Sequence, residues 1–484
     1  MTNTLRPYPE YKDSGVHWLG KIPKHWPEKR AKYYFREIDE RSQTGDEEML
    51  SVSHITGVTP RSQKNVTMFK AESNVGQKRC QPGDLVINTM WAWMAALGVS
   101  NHEGIVSPSY GVYRPKSRQD YDSYYLDHLL RIEGYRSEYI CRSTGIRSSR
   151  LRLYPDKFLS MPVICPPQEE QLAITRFLKA QNLLFRKFIR NKRRLIELLK
   201  EQKQTIINNM VTGKCEVRRV KGENGKEQLE AFPTPPRKLR PSNSEWLGDI
   251  PEHWEVRKLK FASKMIVGGA TPASGQSELW DGDVVWITPQ DVSKNERLRS
   301  SARQLTFAGI TSCSTVVVPP GSVIVTSRAP VGNVSFAEVE LCTNQGCKAV
   351  VPDEQYLLNE YCFVLLKAMQ PVFQRVANGT TFPEISTWTL ENIKVLLPPI
   401  SEQETILSYL KVTTSTIDHA ITRAEREIEL IREYRARLIS DVVTGQVDVR
   451  SVKCEEGSAN EEFVEDFDEV EDETEFLAVA ENGE

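Results

Sequence analysis

The run Arg142-Ser143-Thr144-Gly145-Ile146-Arg147-Ser148-Ser149-Arg150-Leu151-Arg152 sets four arginines among small hydroxyl residues. A guanidinium can bond guanine through two parallel N–H groups, and serine or threonine hydroxyls serve phosphates or bases. That composition suits contact with double-stranded DNA, with Arg142, Arg147, Ser148, Ser149 and Arg150 as candidate contacts. The matching stretch in the second half, Asn378-Gly379-Thr380-Thr381-Phe382-Pro383, is polar but uncharged. Thr380 and Thr381 are candidates there, with Arg328, Asn333, Asn344, Gln345 and Arg375 as further donors. Asn88 and Thr89 follow the apolar run Leu85-Val86-Ile87 and join the first set. Taken singly, each of these residues also suits a solvated surface. Trp91 and Trp93 could stack on a base, though packing at a strand edge fits them better.

The motifs of a DNA-acting enzyme are missing. The sequence has no Gly-x-x-x-x-Gly-Lys-[Ser/Thr] phosphate loop and no His-Glu-x-x-His zinc motif. It has no Gly-x-Ser-x-Gly elbow and no Asn-Pro-Pro-aromatic loop of amino-methylating enzymes. A nuclease pattern can be forced from Pro155-Asp156 and Glu201-Gln202-Lys203, but such carboxylates are common and Lys203 has a place in a helix seam. The reading is a binder with no catalytic residues and no metal ligands of its own.

The charge distribution agrees. The chain carries 63 Lys+Arg against 65 Asp+Glu, a net of -2. Residues 451–484 hold 14 acidic side chains and Lys453, which leaves 62 basic and 51 acidic residues in 1–450, a balance of +11. A basic body with an acidic tail points to a polyanionic partner. No stretch reaches the roughly 18 apolar residues of a membrane helix. The opening residues lack an apolar signal core, and the 9 cysteines are spread singly, so a cytoplasmic protein with reduced thiols and no membrane partner is expected.

The elements that must position these loops come twice. Trp18-Leu19-Gly20-Lys21-Ile22-Pro23-Lys24-His25-Trp26 recurs as Trp246-Leu247-Gly248-Asp249-Ile250-Pro251-Glu252-His253-Trp254, with seven of nine positions identical at an offset of 228. Pro166-Pro167-Gln168-Glu169-Glu170-Gln171 answers Pro398-Pro399-Ile400-Ser401-Glu402-Gln403, and Val211-Thr212-Gly213 answers Val443-Thr444-Gly445, both at 232. Between these landmarks the halves diverge, so a shared frame carries individual loops. The repeated tryptophans read as structural.

After each Pro-Pro the pattern predicts a long helix, about 169–212 and 401–444, with acidic residues at its start and Thr-Gly at its end. The second carries Ile417, Ile421, Ala424, Ile428, Ile431, Arg435, Leu438 and Val442 in alternating steps of three and four. Subtracting 232 gives Phe185, Ile189, Lys192, Ile196, Leu199, Lys203, Ile206 and Met210, the same heptad stripe. Left in water such a stripe would be costly, so the helices are expected to pair, with Lys203 and Arg435 fixing register at polar seam positions.

The duplicated Trp-Leu-Gly-x-Ile-Pro-x-His-Trp, the Pro-Pro-x-x-Glu-Gln helix start and the Val-Thr-Gly helix end together resemble the specificity (S) subunits of type I restriction–modification systems, over about residues 5–450. The resemblance implies an α+β fold with internal pseudo-twofold duplication. Two mixed α/β target recognition domains (1–165 and 246–397) would each read one half of a split DNA target. Two conserved helices (166–213 and 398–445) would form an antiparallel coiled coil that sets the spacer and docks two modification (M) subunits. Composition, and not the resemblance, makes residues 214–245 a polar exposed linker and 446–484 an acidic, disordered tail, which is no part of the family pattern. Restriction (R) subunits would join for cleavage, and S-adenosylmethionine, ATP and Mg²⁺ would belong to the partner subunits, with no cofactor here. Because the loops differ, the target should be asymmetric. A DNA-binding scaffold without restriction partners is the alternative, and a methyltransferase or nuclease in its own right is the further rival.

Overall fold

The computed structural model describes residues 5–63, 73–117, 120–145, 151–221, 227–242, 247–377 and 383–452. Arg147, Ser148, Ser149, Arg150, Thr380, Thr381, Trp246 and residues 453–484 of the acidic tail lie outside the described residues, whereas residues 446–452, expected to be disordered, are ordered, with Val449 buried in the first unit's core. The chain forms two compact units, one from residues 1–192 with 426–484 and the other from 193–425. The architecture is α+β, with helices Gln168–Val211 and Ile400–Val443, 44 residues each, in the places the periodicity predicts.

In the first unit an antiparallel sheet orders Phe35–Glu37, Gly111–Pro115, Leu85–Ile87 and Leu97–Val99. Helices Ser123–Arg131 and Glu133–Arg142 cover it, the first capped by Asp122, whose side chain accepts from the Tyr125 N–H. Trp26, Tyr113, Tyr125, Tyr135, Tyr139 and Phe158 are fully buried, in one core with Phe177 and Phe185 of the first long helix and Leu438 and Val442 of the second. The second unit has a five-stranded sheet, ordered Ser263–Gly268, Cys347–Pro352, Val323–Thr326, Val334–Ala337 and Arg297–Leu298. A three-stranded sheet lies in the same unit, with Trp280–Ile287 between Arg303–Leu305 and Leu341–Thr343.

The duplication is visible in the strand ladders. Glu28 faces Ile164 in the first unit and Val256 faces Leu396 in the second, so the two sequence offsets meet in one ladder. The motif residues have the same tasks in both. Gln171 is buried, donating through Nε2 to the Pro166 and Asp120 carbonyls while its Oε1 accepts from the Asp122 N–H. Gln403 does the same with Pro398, Tyr356 and Leu358. Each Gln thus satisfies backbone groups that burial would otherwise leave unpaired.

The helix ends explain the Thr-Gly signal. Gly445 has φ +76°, and a Cβ there would lie 2.5 Å from the Pro23 ring; Gly213 has φ +71° and meets Pro251 at 2.4 Å. Each helix therefore ends against the Trp motif of the other repeat. Gly445→Ala should destabilise by about 2–4 kcal/mol, combining left-handed strain with overpacking against a proline. Thermal melts of the variant beside wild type check this, and an unchanged midpoint counts against it.

Within each unit the long helices run antiparallel. In the first, Asn182 Oδ1 accepts from Arg435 Nε at 3.0 Å, Phe185 meets Tyr434 edge-to-face, and Lys192 pairs with Glu427 at 2.5 Å. In the second, Lys203 Nζ donates to both Asp418 oxygens at 2.7 and 2.8 Å. Phe185, Ile196, Ile417, Ile421, Ile428 and Leu438 are buried, and Ile189, Leu199, Ile206 and Ile431 half-buried. Lys203 and Arg435 each find a polar partner across the seam. Such half-exposed pairs are worth about 0–1 kcal/mol, so their contribution is register more than stability.

The described residues of 214–245, expected as an exposed linker, are more ordered than that. Cys215–Lys221 pairs with Glu227–Pro233 as a hairpin, and Leu239–Pro241 pairs with Asp249–Pro251. Cys215, Val217 and Ala231 pack on the second unit's core; their spacing of two was hidden by the charged residues between them.

Candidate nucleic-acid interface

In the second unit four of the predicted residues come together through loops at one end of the five-stranded sheet. Asn333 Nδ2 donates to Ser293 Oγ at 2.9 Å, and its Oδ1 accepts from Gln370 Nε2 at 2.9 Å. Gln370 begins the short helix Gln370–Val376, which carries Arg375. Arg328 follows the strand Val323–Thr326, its backbone N–H donates to the Gly346 carbonyl, and its guanidinium lies 3.2 Å from Glu384. Asn344 Oδ1 turns back to the Gly346 N–H, and Gln345 Oε1 accepts from Thr271 Oγ1 at 2.5 Å.

Two tryptophans hold the loop that reaches Gln345. Trp280 and Trp286 stand edge-to-face at 5.1 Å, and their indole N–H groups donate to the Ala273 and Ala270 carbonyls at 3.1 and 3.0 Å. The same loop begins at Gly269, where a Cβ would lie 1.8 Å from the Thr343 carbonyl oxygen, so only glycine admits this approach. Arg303 lies across Trp280, its guanidinium carbon 3.4 Å from the ring centroid. Beside it, Gln290 and Lys294 line a cleft of about 220 Å³. Sequence reading passed over all three, because each sits in an ordinary polar context and only the Trp280-Asp-Gly-Asp-Val-Val-Trp286 run flags the place.

In the first unit the predicted residues divide. Asn88 is buried, bonded to the Tyr110 hydroxyl and to the Met90 N–H. Thr89 Oγ1 donates to the Ser109 carbonyl, and the Thr89 carbonyl accepts from the Leu153 N–H. Arg142 is held by Glu138 at 2.5 Å and reaches Ser160. Thr144 and Arg152 pair through their backbones, and Arg152 reaches Met90 Sδ at 3.9 Å. Thr89 and Arg152 therefore lie on one loop face, with Asn88 beneath it as a support.

The frame is built twice and presents two unlike polar loop faces. Residues 251–430 match the model described as the type I restriction modification DNA specificity domain. The chain is similar to the type I restriction enzyme MjaIX specificity subunit of Methanocaldococcus jannaschii, 32% identical over 221 residues, 45% of this chain and 49% of that protein. It is also similar to the putative type I restriction enzyme MjaX specificity subunit of the same organism, 26% identical over 334 residues, 68% and 69% of the two chains. The match thus spans about half the length of the first relative and two thirds of the second. Its fold is shared with a chain from a solved structure on complex assembly and conformational transition of the type I R-M system, with TM-score 0.63, 16% identity and coverage of 87% of this chain and 98% of that one. Residues 251–430 therefore carry a domain of that specificity family, and the chain as a whole is similar to type I specificity subunits. Among the described residues no helix is long and apolar enough to cross a membrane.

Proposed function

We propose that the chain is the DNA-specificity subunit of a type I restriction–modification enzyme and carries out no catalysis itself. Each recognition unit reads one half of an asymmetric bipartite target in double-stranded DNA. The paired helices set the spacer and dock two modification subunits, and restriction subunits join for cleavage. S-adenosylmethionine, ATP and Mg²⁺ are used by those partners. The observation that carries this reading is the contrast between repeated frame and divergent loops: ladders, Gln staples and helix ends recur position for position, while the Thr89–Arg152 face and the Arg328–Gln345 face share no side-chain pattern. Phosphate contacts by the basic body would supply salt-dependent affinity, and the loop faces would supply base choice.

Methylome sequencing of cells expressing the chain with its modification subunit tests it, and two unlike half-sites separated by a fixed gap are expected. Methylation or cleavage by the purified chain alone would establish an enzyme instead, and sequence-insensitive binding by the complex would leave only a scaffold. Inserting one helical turn in both helices, near Leu195–Lys203 and Leu430–Leu438, should change the gap and keep both half-sites. Altered half-sites with an unchanged gap would defeat the spacer role.

A further inference from the structure

An arginine free of carboxylates and held in one plane is poised for a two-pronged contact, and Arg303 meets both conditions. It is exposed, and among the described residues it makes no ion pair. By contrast Arg142, Arg297 and Arg328 all face glutamates. Arg303 stands opposite Trp286 on the neighbouring strand and lies flat on Trp280, each indole almost fully buried. Stacking on a rigid indole fixes the guanidinium plane and leaves its N–H edge open. That removes much of the side-chain entropy a free arginine would lose on binding.

The surroundings point the same way. The adjoining cleft, about 220 Å³, is lined in part by Gln290 and Lys294, both exposed. The one carboxylate in the cleft, Asp291, is committed to its own helix start, accepting from the Thr288 N–H and hydroxyl. The short helix Pro289–Lys294 also carries Ser293, the partner of Asn333. The indoles that support Arg303 in turn anchor the loop bonded to Gln345. Arg303 is therefore built into the same loop face as Asn333 and Gln345.

We propose that Arg303 is a specificity-determining residue of the second recognition unit, presenting its two N–H groups to the O6/N7 edge of a guanine, with Lys294 on a flanking phosphate. The inference rests on the DNA-reading function above and adds the residue and the base. A stacked arginine makes a planar, bidentate contact that lysine cannot copy, whereas Lys294 acts as a point charge.

The test is methylome sequencing with the chain and its modification subunit, comparing wild type, Arg303→Ala, Arg303→Lys and Lys294→Ala, alongside salt-dependent DNA binding by the purified complexes. Arg303→Ala should abolish preference for guanine at one position of one half-site, a loss of discrimination on the order of 10- to 100-fold, with the other half-site and the gap unchanged. Arg303→Lys keeps the charge and most of the cover over Trp280, and should relax the same position even if the alanine variant folds poorly. Lys294→Ala should weaken binding to all sequences alike and lower the salt slope by about one. An unchanged motif in Arg303→Lys, or a uniform loss at every position, overturns the proposal. Absence of any bipartite motif with wild-type chain would overturn the functional reading itself, so the two failures are distinguishable.

Discussion

Under the proposed function, replacing residues 18–165 with the corresponding segment of a type I specificity subunit is expected to exchange one half-site completely and leave the other as it was. The first unit's loop faces lie wholly inside that segment, while the second unit draws on residues 193–425. The structure also says what the transplant must respect. The first unit's core includes Phe177, Leu178 and Phe185 from the first long helix and Leu438, Val442, Val443 and Val449 from the end of the second repeat. Tyr125 donates its hydroxyl proton to the Val443 carbonyl at 3.0 Å, and Thr175 donates to Asp122 at 2.6 Å. A transplant that leaves a cavity against any of these side chains loses about 2–5 kcal/mol at each. Methylation motifs from the hybrid decide the matter, and a change in both half-sites would show that the units do not read independently.

The second large effect is an asymmetry between equivalent glutamates. Glu170→Ala should cost at least about 3 kcal/mol, whereas Glu402→Ala should cost about 1 kcal/mol. Both occupy the same place in Pro-Pro-x-x-Glu-Gln, but their burdens differ. Glu170 accepts from Trp26 Nε1 at 2.9 Å and from the Tyr8 hydroxyl at 3.1 Å, and lies 2.5 Å from His25 Nε2. Burial and the Glu170 charge push the Tyr8 phenol well above its ordinary pKa, which keeps it a donor. Trp26 and Tyr8 are buried, so removing the carboxylate strands donors that water cannot reach. Among the described residues Glu402 accepts from His253 alone, at 2.8 Å, and it is more exposed. The position matching Tyr8 is Pro236, and among the described residues the Trp254 indole N–H is buried without an acceptor. Hydrogen exchange read separately over residues 5–63 and 247–298 would measure the two losses. Equal losses of protection would mean that the donor count does not control stability here.

Much of this protein is written along the chain. Duplication is a translation in one dimension, so Trp18–Trp26 and Trp246–Trp254 reveal it without any structure. The heptad stripe from Phe185 to Met210 is a local period, and the pairing of the two helices follows from the cost of wetting it. Glycine at the helix ends is also legible, since few residues adopt positive φ, although its packing on the other repeat's proline is not. The hairpin at 215–233 was concealed for a related reason: charged residues interrupt a period of two that is short to begin with.

The contents of the loop faces were decided only in three dimensions. Asn88 and Arg142 have the composition of DNA contacts, yet one is buried under its loop and the other is held by Glu138. Arg303 looks ordinary in sequence and becomes a presented, oriented donor because Trp280, 23 positions earlier, lies beneath it. Likewise Glu170 and Glu402 are the same letter in the same motif, and what separates them is whether Tyr8, 162 residues from Glu170, is brought to its carboxylate. Sequence alone determined the frame, because periodicity and repetition are signals between near or regularly spaced residues. Which side chains face a partner depends on contacts between irregular segments far apart in the chain, and only their folding together sets those.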